Sequence, residues 1–313
     1  MIGFGSRMRL ACALGMALAG PLLVSATGAA SVAGAAAAPD SFTQAVEVER
    51  RETLTYFREN PHSPLAAILR EDVPRAGWLT IGSAPDNDVV LEDRSVAPHH
   101  ARVSIDGSGF RVEAVDDTAH FMAGKETTRA ATVPPSWIVL GRYHLRLSYQ
   151  NAPAVIVFDP TAPALKTARV PSWFPVDPRY RFVLPLVADA KRDTVLIEST
   201  HGQPRPSLRV GHFEFALDGR TYRLGAYRLL EPGVPQDDLG LYFRDRTSGK
   251  ESYAVGRYLD AVKLPDGRYV VDFNQAYNPS CAYSPYYNCP IPPPENRIAA
   301  TIRAGESWLK EAK

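Results

Sequence analysis

The chain has 313 residues, with 35 Lys and Arg against 34 Asp and Glu, which gives a formal net charge of +1. A near-neutral balance without a basic run argues against a dedicated nucleic-acid-binding protein, which needs a positive surface for phosphates. A hydrophobic content of 45% excludes a wholly disordered chain, and the 27 prolines suit a β-rich protein with many turns.

The first 38 residues have the pattern of an export signal. Arg7 and Arg9 supply its positive end, residues 10–24 form an apolar stretch, and Ala33-Gly34-Ala35 fits the small-x-small cleavage pattern. An uncleaved membrane anchor is the alternative, but the stretch is short for a span and is diluted by small and polar residues. We therefore expect an exported protein, periplasmic or secreted, with no membrane span in the mature chain.

The cysteines fit the same expectation. Removing the signal removes Cys12 and leaves Cys281 and Cys289, an even number in an oxidising compartment. Pro285 lies between them and favours a turn that brings them together, so we expect a disulfide. A pair of metal ligands is the alternative, but no His or further Cys is near in the sequence, and we predict no metal site.

The rest of the chain predicts a mainly β protein. Residues 39–74 are predicted as an N-terminal helical segment, with one helix over 40–58 and a short one over 64–70. Short apolar runs between turn residues predict a small β-sandwich over 75–158, followed by a proline-rich junction over 159–180. Seven further strands, including a hairpin around Asp218-Gly219, predict a C-terminal antiparallel β-barrel or sandwich within 181–313, with a loop tied by the disulfide.

Part of the sandwich stretch has a recognisable pattern. Residues 81–91 are Ile-Gly-Ser-Ala-Pro-Asp-Asn-Asp-Val-Val-Leu, and residues 96–103 are Val-Ala-Pro-His-His-Ala-Arg-Val. Together they resemble a forkhead-associated domain, a β-sandwich that reads phosphothreonine through its loops. The resemblance implies that His100 braces the loops. Ser83 and Ala97 stand where such domains carry their phosphate donors, so we expect a reused scaffold that does not bind phosphothreonine.

Longer motifs lie in the C-terminal half. They cover residues 243–253, 256–259, 272–279 and 302–306, together with the cysteine loop that ends in Pro293-Pro294-Glu295-Asn296-Arg297. These motifs resemble an uncharacterised bacterial family, domain of unknown function 1684, and the resemblance covers nearly the whole chain after the signal. It implies no particular activity.

The density of polar and aromatic residues over 243–296 predicts a ligand site at the mouth of the C-terminal domain. The predicted ligand-binding residues are Arg244, Asp245, Tyr253, Arg257, Asn274, Tyr277 and Asn278. Arg257 and Asp272 flank the turn at Asp266-Gly267, so a symmetric hairpin would bring them together across the strands. Such an arginine either holds a ligand in a charged pocket or belongs to a buried Arg–Asp pair that braces the C-terminal loop.

These residues favour an exported binding protein for a small polar ligand, a glycan fragment or a peptide. One alternative is a cofactor-free hydrolase whose catalytic carboxylate is Asp245, Asp272 or Glu295. Another is a structural envelope protein that serves as an interaction platform and has no sizeable pocket. The chain has no nucleophile elbow, zinc-protease motif, phosphate loop or dinucleotide fingerprint, and we predict no cofactor. The near-neutral charge predicts no nucleic-acid partner.

Overall fold

The computed structural model describes residues 40–150, 152–190 and 193–309. It is mainly β, with short N-terminal helices, a β-sandwich and a second β-domain, so the predicted fold class is confirmed. The predicted export signal lies outside the described residues. Neither α-helix of the described part has the length and apolarity that a membrane crossing requires.

The first helix, α1, spans Ser41–Glu59, close to its predicted range. Asp40 caps its start by accepting a hydrogen bond from the main-chain nitrogen of Thr43 at 2.7 Å. The helix ends at Glu59, and Asn60 is already extended, because Pro61 follows and disfavours helical geometry in the residue before it. One face of α1, which includes Val46 and Phe57, is buried.

The predicted second helix is wrong beyond its first turn. Pro64–Ala66 form one turn of 3-10 helix, and residues 67–72 then form strand β1. This strand pairs antiparallel with the last strand of the sandwich, from Ala67 opposite Phe158 to Asp72 opposite Ala154. The apolar run that suggests a helix forms an edge strand instead, because that partner strand offers its main-chain hydrogen bonds to it.

The sandwich has two sheets, a six-stranded one and a five-stranded one. Its strands in chain order are β1 (Ala67–Asp72), β2 (Leu79–Gly82), β3 (Val89–Val90), β4 (Ala101–Asp106), β5 (Gly109–Ala114), β6 (Phe121–Ala123), β7 (Glu126–Thr128), β8 (Ala130–Val133), β9 (Trp137–Leu140), β10 (Tyr143–Tyr149) and β11 (Pro153–Phe158). The sheet orders are β1-β11-β10-β9-β6-β7 and β3-β2-β4-β5-β8. Alternate residues such as Ile81, Phe110 and Leu145 point inward and form the shared core.

The junction contains a one-turn helix, α2 (Ala164–Thr167), and leads into the C-terminal domain. The strands of this part are β12 (Ser172–Trp173), β13 (Arg181–Leu184), β14 (Val187–Ala188), β15 (Thr194–Ile197), β16 (Arg205–Leu217), β17 (Arg220–Leu229), β18 (Gly240–Phe243), β19 (Arg257–Asp260), β20 (Val262–Lys263), β21 (Tyr269–Asp272) and β22 (Glu306–Ser307). Further 3-10 turns lie at Pro178–Tyr180, Phe273–Gln275, Ser280–Ala282 and Pro294–Asn296.

The long hairpin of β16 and β17 organises this domain. Its turn is Asp218-Gly219, as predicted, and both residues have positive φ, as a tight two-residue hairpin turn requires. The sheet runs β14-β16-β17-β18-β19, with β15 also paired to β16, and a second sheet runs β13-β21-β20. Phe213 and Phe215 alternate inward from β16 and meet Phe273 in one core.

A third cluster joins the two domains. Phe158 of the sandwich packs against Tyr287 of the cysteine loop, with ring centroids 6.2 Å apart. Phe57 of α1 packs edge-on against Tyr283 of the same loop at 4.6 Å. The aromatic side chains of the loop therefore contact α1 and the outer face of the sandwich.

Candidate ligand-binding site

Arg257 is fully buried in the C-terminal domain. Its Nη2 donates to Asp245 Oδ1 at 3.3 Å. Three main-chain carbonyls of the last segment, those of Ile302, Ala304 and Glu306, accept its other hydrogen bonds. Burial lowers the pKa of Arg257, against the opposing effect of Asp245. The guanidinium thus ties the C-terminal segment to the sheet and has no surface through which to contact a ligand.

Asp245 is the buried partner of this arginine. Its Oδ1 accepts from the hydroxyl of Thr247 at 2.7 Å, and its Oδ2 accepts from the main-chain nitrogen of Ile302 at 2.7 Å. With the bond from Arg257, the carboxylate is satisfied on both oxygens. Its geometry therefore corresponds to the bracing role that we predicted as one of two alternatives for an Arg–Asp pair.

The predicted approach of Arg257 to Asp272 is wrong. The Asp266-Gly267 turn joins β20 to β21, with Val262 opposite Val270, whereas β19 leaves this sheet to pair with β18. Asp272 accepts two hydrogen bonds from Asn274, each at 2.9 Å, and lies 3.6 Å from the guanidinium of Arg181. Burial raises the pKa of Asp272 in spite of these partners.

Asn274 and Asn278 are also buried, and their side chains form hydrogen bonds to neighbouring loops. The side chain of Asn274 accepts from the nitrogen of Asp177 and donates to its carbonyl, both at 2.9 Å. Asn278 donates through Nδ2 to the hydroxyl of Tyr283 at 3.2 Å and to the carbonyl of Ser307 at 3.3 Å. Both amides hold loops in place, which is the common use of Asn in irregular segments.

The remaining predicted residues lie around the cysteine loop. The hydroxyl of Tyr253 donates to the carbonyl of Cys281 at 3.2 Å, and that of Tyr277 donates to Asp260 at 3.2 Å. Glu295 is exposed and accepts a 2.5 Å hydrogen bond from the buried Tyr227. The structure therefore does not bring the seven predicted ligand-binding residues together around one opening.

The two cysteines of the loop are neighbours. Cys281 and Cys289 approach to 3.6 Å and are present as free thiols. The main-chain nitrogen of Cys289 donates to the hydroxyl of Thr200 at 2.9 Å, which fixes this end of the loop. The disulfide therefore stays a prediction, with both residues already adjacent.

An open depression lies beside the buried Arg–Asp pair. Its volume is about 440 Å³, and its lining residues are Arg244, Asp245, Arg246, Ser248, Ala254, Arg297, Ile298 and Ala299. Two of these, Arg244 and Asp245, belong to the predicted site. No cluster of three or more potential metal-ligating side chains forms within the described residues.

The backbone explains why arginines line this depression. The segment 296–300 runs parallel to 244–246, with Arg244 bridged to Arg297, and the carbonyl of Arg244 accepts from the nitrogen of Ile298 at 2.7 Å. Since side chains alternate in extended backbone, Asp245 and Ile298 point inward, and Arg244, Arg246 and Arg297 point outward.

Sequence reasoning missed Arg246 and Arg297 as site residues. The two-residue spacing from Arg244 to Arg246 is a signal that could have identified the first. Arg297 had no such signal, because its place beside Arg244 depends on a pairing between segments about 50 residues apart.

The side chains that line the depression carry an excess of positive charge. Burial lowers the pKa of Arg244, and the neighbouring positive charge of Arg297 lowers it further. Among the described residues, no carboxylate forms an ion pair with Arg244, Arg246 or Arg297. Asp245, the one acid in the lining, is taken up by Arg257 on the inner side.

Comparisons with known proteins confirm the predicted family, but the match is shorter than predicted and does not include the sandwich. Residues 169–307 match the family model described as "Protein of unknown function (DUF1684)". The chain belongs to the DUF1684 family. An uncharacterized protein from Haloarcula marismortui, solved by NMR, is 33% identical; the match covers 45% of this chain and 77% of that chain, with a TM-score of 0.37. The depression thus lies within the part of the chain that matches the DUF1684 model.

The sandwich is similar to a second set of known domains. Residues 75–151 match the family model described as "Inner membrane component of T3SS, cytoplasmic domain". An FHA domain with phosphothreonine-dependent interactions is 20% identical, covering 27% of this chain and 79% of that one, with a TM-score of 0.21. The FHA domain of a Chlamydia trachomatis protein is 18% identical, covering 28% and 81%, with a TM-score of 0.21. The predicted forkhead-associated-like stretch is confirmed. No curated protein matches this DUF1684 chain.

Proposed function

We propose that this protein is an exported binding protein that holds a small polar ligand, a glycan fragment or a peptide in the depression beside Arg244. The observation that carries the proposal is the depression of about 440 Å³ itself, formed by two motif segments of the DUF1684 part. Its volume falls within the roughly 300–1,000 Å³ of typical small-molecule sites, and because it is wide open to solvent it would enclose only part of a ligand. A pure interaction platform predicts no such concavity.

The lining suits a polar ligand with some apolar surface. Arg244, Arg246 and Arg297 offer hydrogen-bond donors, while Ala254 and Ala299 offer small apolar contacts. Of the other predicted site residues, Arg257 contributes indirectly. It pairs with Asp245, which also accepts from the main-chain nitrogen of Ile302, so the segment of Arg244 and Arg246 is held against the C-terminal segment.

The hydrolase alternative has no comparable support. The carboxylate of Asp245 is enclosed by its hydrogen bonds, and that of Asp272 is held by Asn274. Glu295 is exposed but is engaged by Tyr227. A general acid or base must reach the proton it transfers, and no two of these carboxylates share one hydrogen-bond partner.

The exported state is part of the same proposal and rests on the sequence pattern of residues 1–38. In an oxidising compartment, the adjacent Cys281 and Cys289 would form a disulfide that fixes the cysteine loop. The loop packs against α1 and the sandwich, so this bond would stabilise the contact between the two domains.

A blocking variant tests the proposed site. Ala299 is exposed and lines the depression, so Ala299→Trp should fill it, whereas Ala216→Trp places the same ring on the exposed face of β16. The purified protein is screened by thermal shift against sugars, peptidoglycan fragments, peptides, carboxylates and nucleotides. We expect a stabilising ligand whose effect is lost in Ala299→Trp and kept in Ala216→Trp. A ligand that binds both variants equally well would place the site elsewhere and refute the proposal.

A further inference from the structure

The arginines of the depression form a compact triangle. Arg244 and Arg297 are bridged neighbours on adjacent extended segments, and Arg246 lies two residues along from Arg244. Neighbouring extended segments are separated by about 4.8 Å, and residues two apart by about 6.6 Å, so the three side chains start within one small patch. Like charges in such positions repel one another.

The stem of Arg244 is held in place. Its Nε donates to the carbonyl of Val255 at 2.8 Å, which leaves the two Nη groups to face a ligand. Gly256 has a φ of +118°, and a Cβ there would lie 2.5 Å from the main-chain oxygen of Phe243 and 3.1 Å from Arg244 Cγ. The backbone at this position therefore requires glycine, and the stem of Arg244 packs directly beside it.

The charge of the triangle has no internal counterion. Asp245 is the one acid that lines the depression, and it pairs with Arg257 on the inner side. In the described parts of the chain, no carboxylate lies within ion-pair distance of the three arginines. An anion that entered the depression would relieve the repulsion and accept several charge-assisted hydrogen bonds from planar guanidinium groups. A neutral ligand could accept hydrogen bonds from the guanidinium groups but would not relieve the repulsion between them.

We propose that the ligand of this depression carries a compact anion with several oxygens, a phosphate monoester or a di- or tricarboxylate, which Arg244, Arg246 and Arg297 bind together. This inference rests on the proposed function and names the chemistry of its ligand. The close spacing fits one multi-oxygen group and not an extended polyanion. The apolar surface of Ala254 and Ala299 then contacts the carbon skeleton that carries the anion.

Titration calorimetry with defined probes tests the inference. The probes are inorganic phosphate, a sugar phosphate, citrate and the unphosphorylated sugar, measured with the purified protein. We expect the sugar phosphate or citrate to bind and the neutral sugar not to bind. Whichever anion binds identifies the source of the charge, and binding should weaken as salt is added. Absence of binding by all the anions would overturn the inference.

Matched arginine variants separate a built site from general attraction. Arg244→Gln and Arg297→Gln should each weaken anion binding at least tenfold, which corresponds to about 1.4 kcal/mol. Arg220→Gln removes an exposed arginine on the distant β17 hairpin and should have no effect. An equal loss in all three variants would mean diffuse electrostatic attraction and would overturn the inference.

The outcome also separates this inference from the proposed function. A neutral ligand that is blocked by Ala299→Trp but unaffected by Arg244→Gln would support the binding site and overturn the anion chemistry. Anion binding that is lost in Arg244→Gln and Arg297→Gln, and blocked by Ala299→Trp, supports both. Anion binding that survives Ala299→Trp would place the anion elsewhere and overturn both.

Discussion

Arg257 Nη2 and Asp245 Oδ1 lie 3.3 Å apart, and neither side chain is exposed to solvent. The guanidinium also donates to three carbonyls of the segment 302–306, and its plane lies near the rings of Phe243 and Phe174. Removing two charges from water is costly, and these groups offset the cost by satisfying both Nη groups and the carboxylate, whereas Arg257 Nε has no hydrogen-bond partner. The pair therefore joins the end of β18, the start of β19 and the C-terminal segment into one unit.

Arg257→Ala should destabilise the domain strongly. The substitution leaves the buried carboxylate of Asp245 without its cation and three carbonyls without a donor. We expect the free energy of unfolding to fall by about 3–5 kcal/mol, measured by urea denaturation. Arg257→Lys should recover only part of this loss, because an ammonium group lacks the planar fork that reaches all four acceptors.

The control for this prediction is an exposed ion pair nearby. Arg303 donates to both carboxylate oxygens of Glu251, at 2.7 and 2.9 Å, but is largely exposed. Arg303→Ala should cost less than about 1 kcal/mol, since exposed pairs contribute little. A similar small cost for Arg257→Ala would contradict the bracing role.

The sequence predicts local structure well where all the signals lie within one hairpin. Phe213, Phe215 and Leu217 alternate with exposed residues, and Asp218-Gly219 supplies the turn, so the β16–β17 hairpin follows from periodicity and turn chemistry. Residues 67–72 are the contrary case. Their strand depends on an edge offered by β11, some 85 residues later, which no local pattern reveals.

The candidate site was only partly predictable for the same reason. The motifs identified Arg244 and Asp245, and their opposite directions follow from the alternation of side chains. Which acid pairs with Arg257 depends on β19 leaving the sheet that holds Asp272, and which arginine joins Arg244 depends on a parallel bridge. In both cases the partner is one of several extended segments that lie far away in the sequence, and no local pattern indicates which one it is.

Asn296→Asp should weaken both folding and binding. The buried amide accepts from the nitrogen of Gly225 at 2.7 Å and donates to the carbonyls of Gly225 and Tyr242 at 3.0 and 2.7 Å. A carboxylate has no donor for those carbonyls and carries a charge that the site cannot solvate. We expect a loss of about 2–4 kcal/mol in urea denaturation.

Asn296 also precedes Arg297, so the same variant should weaken any ligand of the depression, measured below the unfolding transition. Asn87→Asp is the matched control, since Asn87 also bonds two carbonyls but lies in the sandwich. Equal losses of ligand affinity in the two variants would contradict a local positioning effect of Asn296.

Acid should loosen the contact between α1 and the sandwich. His62 follows α1, stacks on Trp137 with ring centroids 3.7 Å apart, and shares a 2.8 Å hydrogen bond with His144 of β10. Burial lowers the pKa of His62 to about 4, with further effects from His144 and Arg146, and burial also lowers the pKa of His144. The folded state therefore favours the neutral form of both imidazole rings.

The sign of the pH effect follows from linkage. Because the unfolded chain protonates His62 near pH 6.5 and the folded chain only near pH 4, stability is full above about pH 6.5 and falls as the pH drops towards 4. The contribution of His62 amounts to about 2 kcal/mol between about pH 7 and pH 5. His62→Gln should remove that part of the pH dependence, whereas the exposed His120→Gln should keep it. A wild-type slope in His62→Gln would contradict the assignment.

The predicted disulfide has a stability test that separates bond from packing. Cys281→Ala with Cys289→Ala removes two sulfurs whether or not they are bonded, so its cost under reducing conditions measures packing alone. Without reductant, the free energy of unfolding of the wild type should be larger by about 2–3 kcal/mol, as expected from the chain entropy of so short a closed loop.

A mass measurement tests the same bond. The protein is isolated from the compartment in which it resides and is alkylated without reductant, and its intact mass should then show no modified thiol. The disulfide is contradicted if both thiols are modified and if the free energy of unfolding is the same with and without reductant. The buried Cys289 would then be a packing residue of the cluster that joins the two domains.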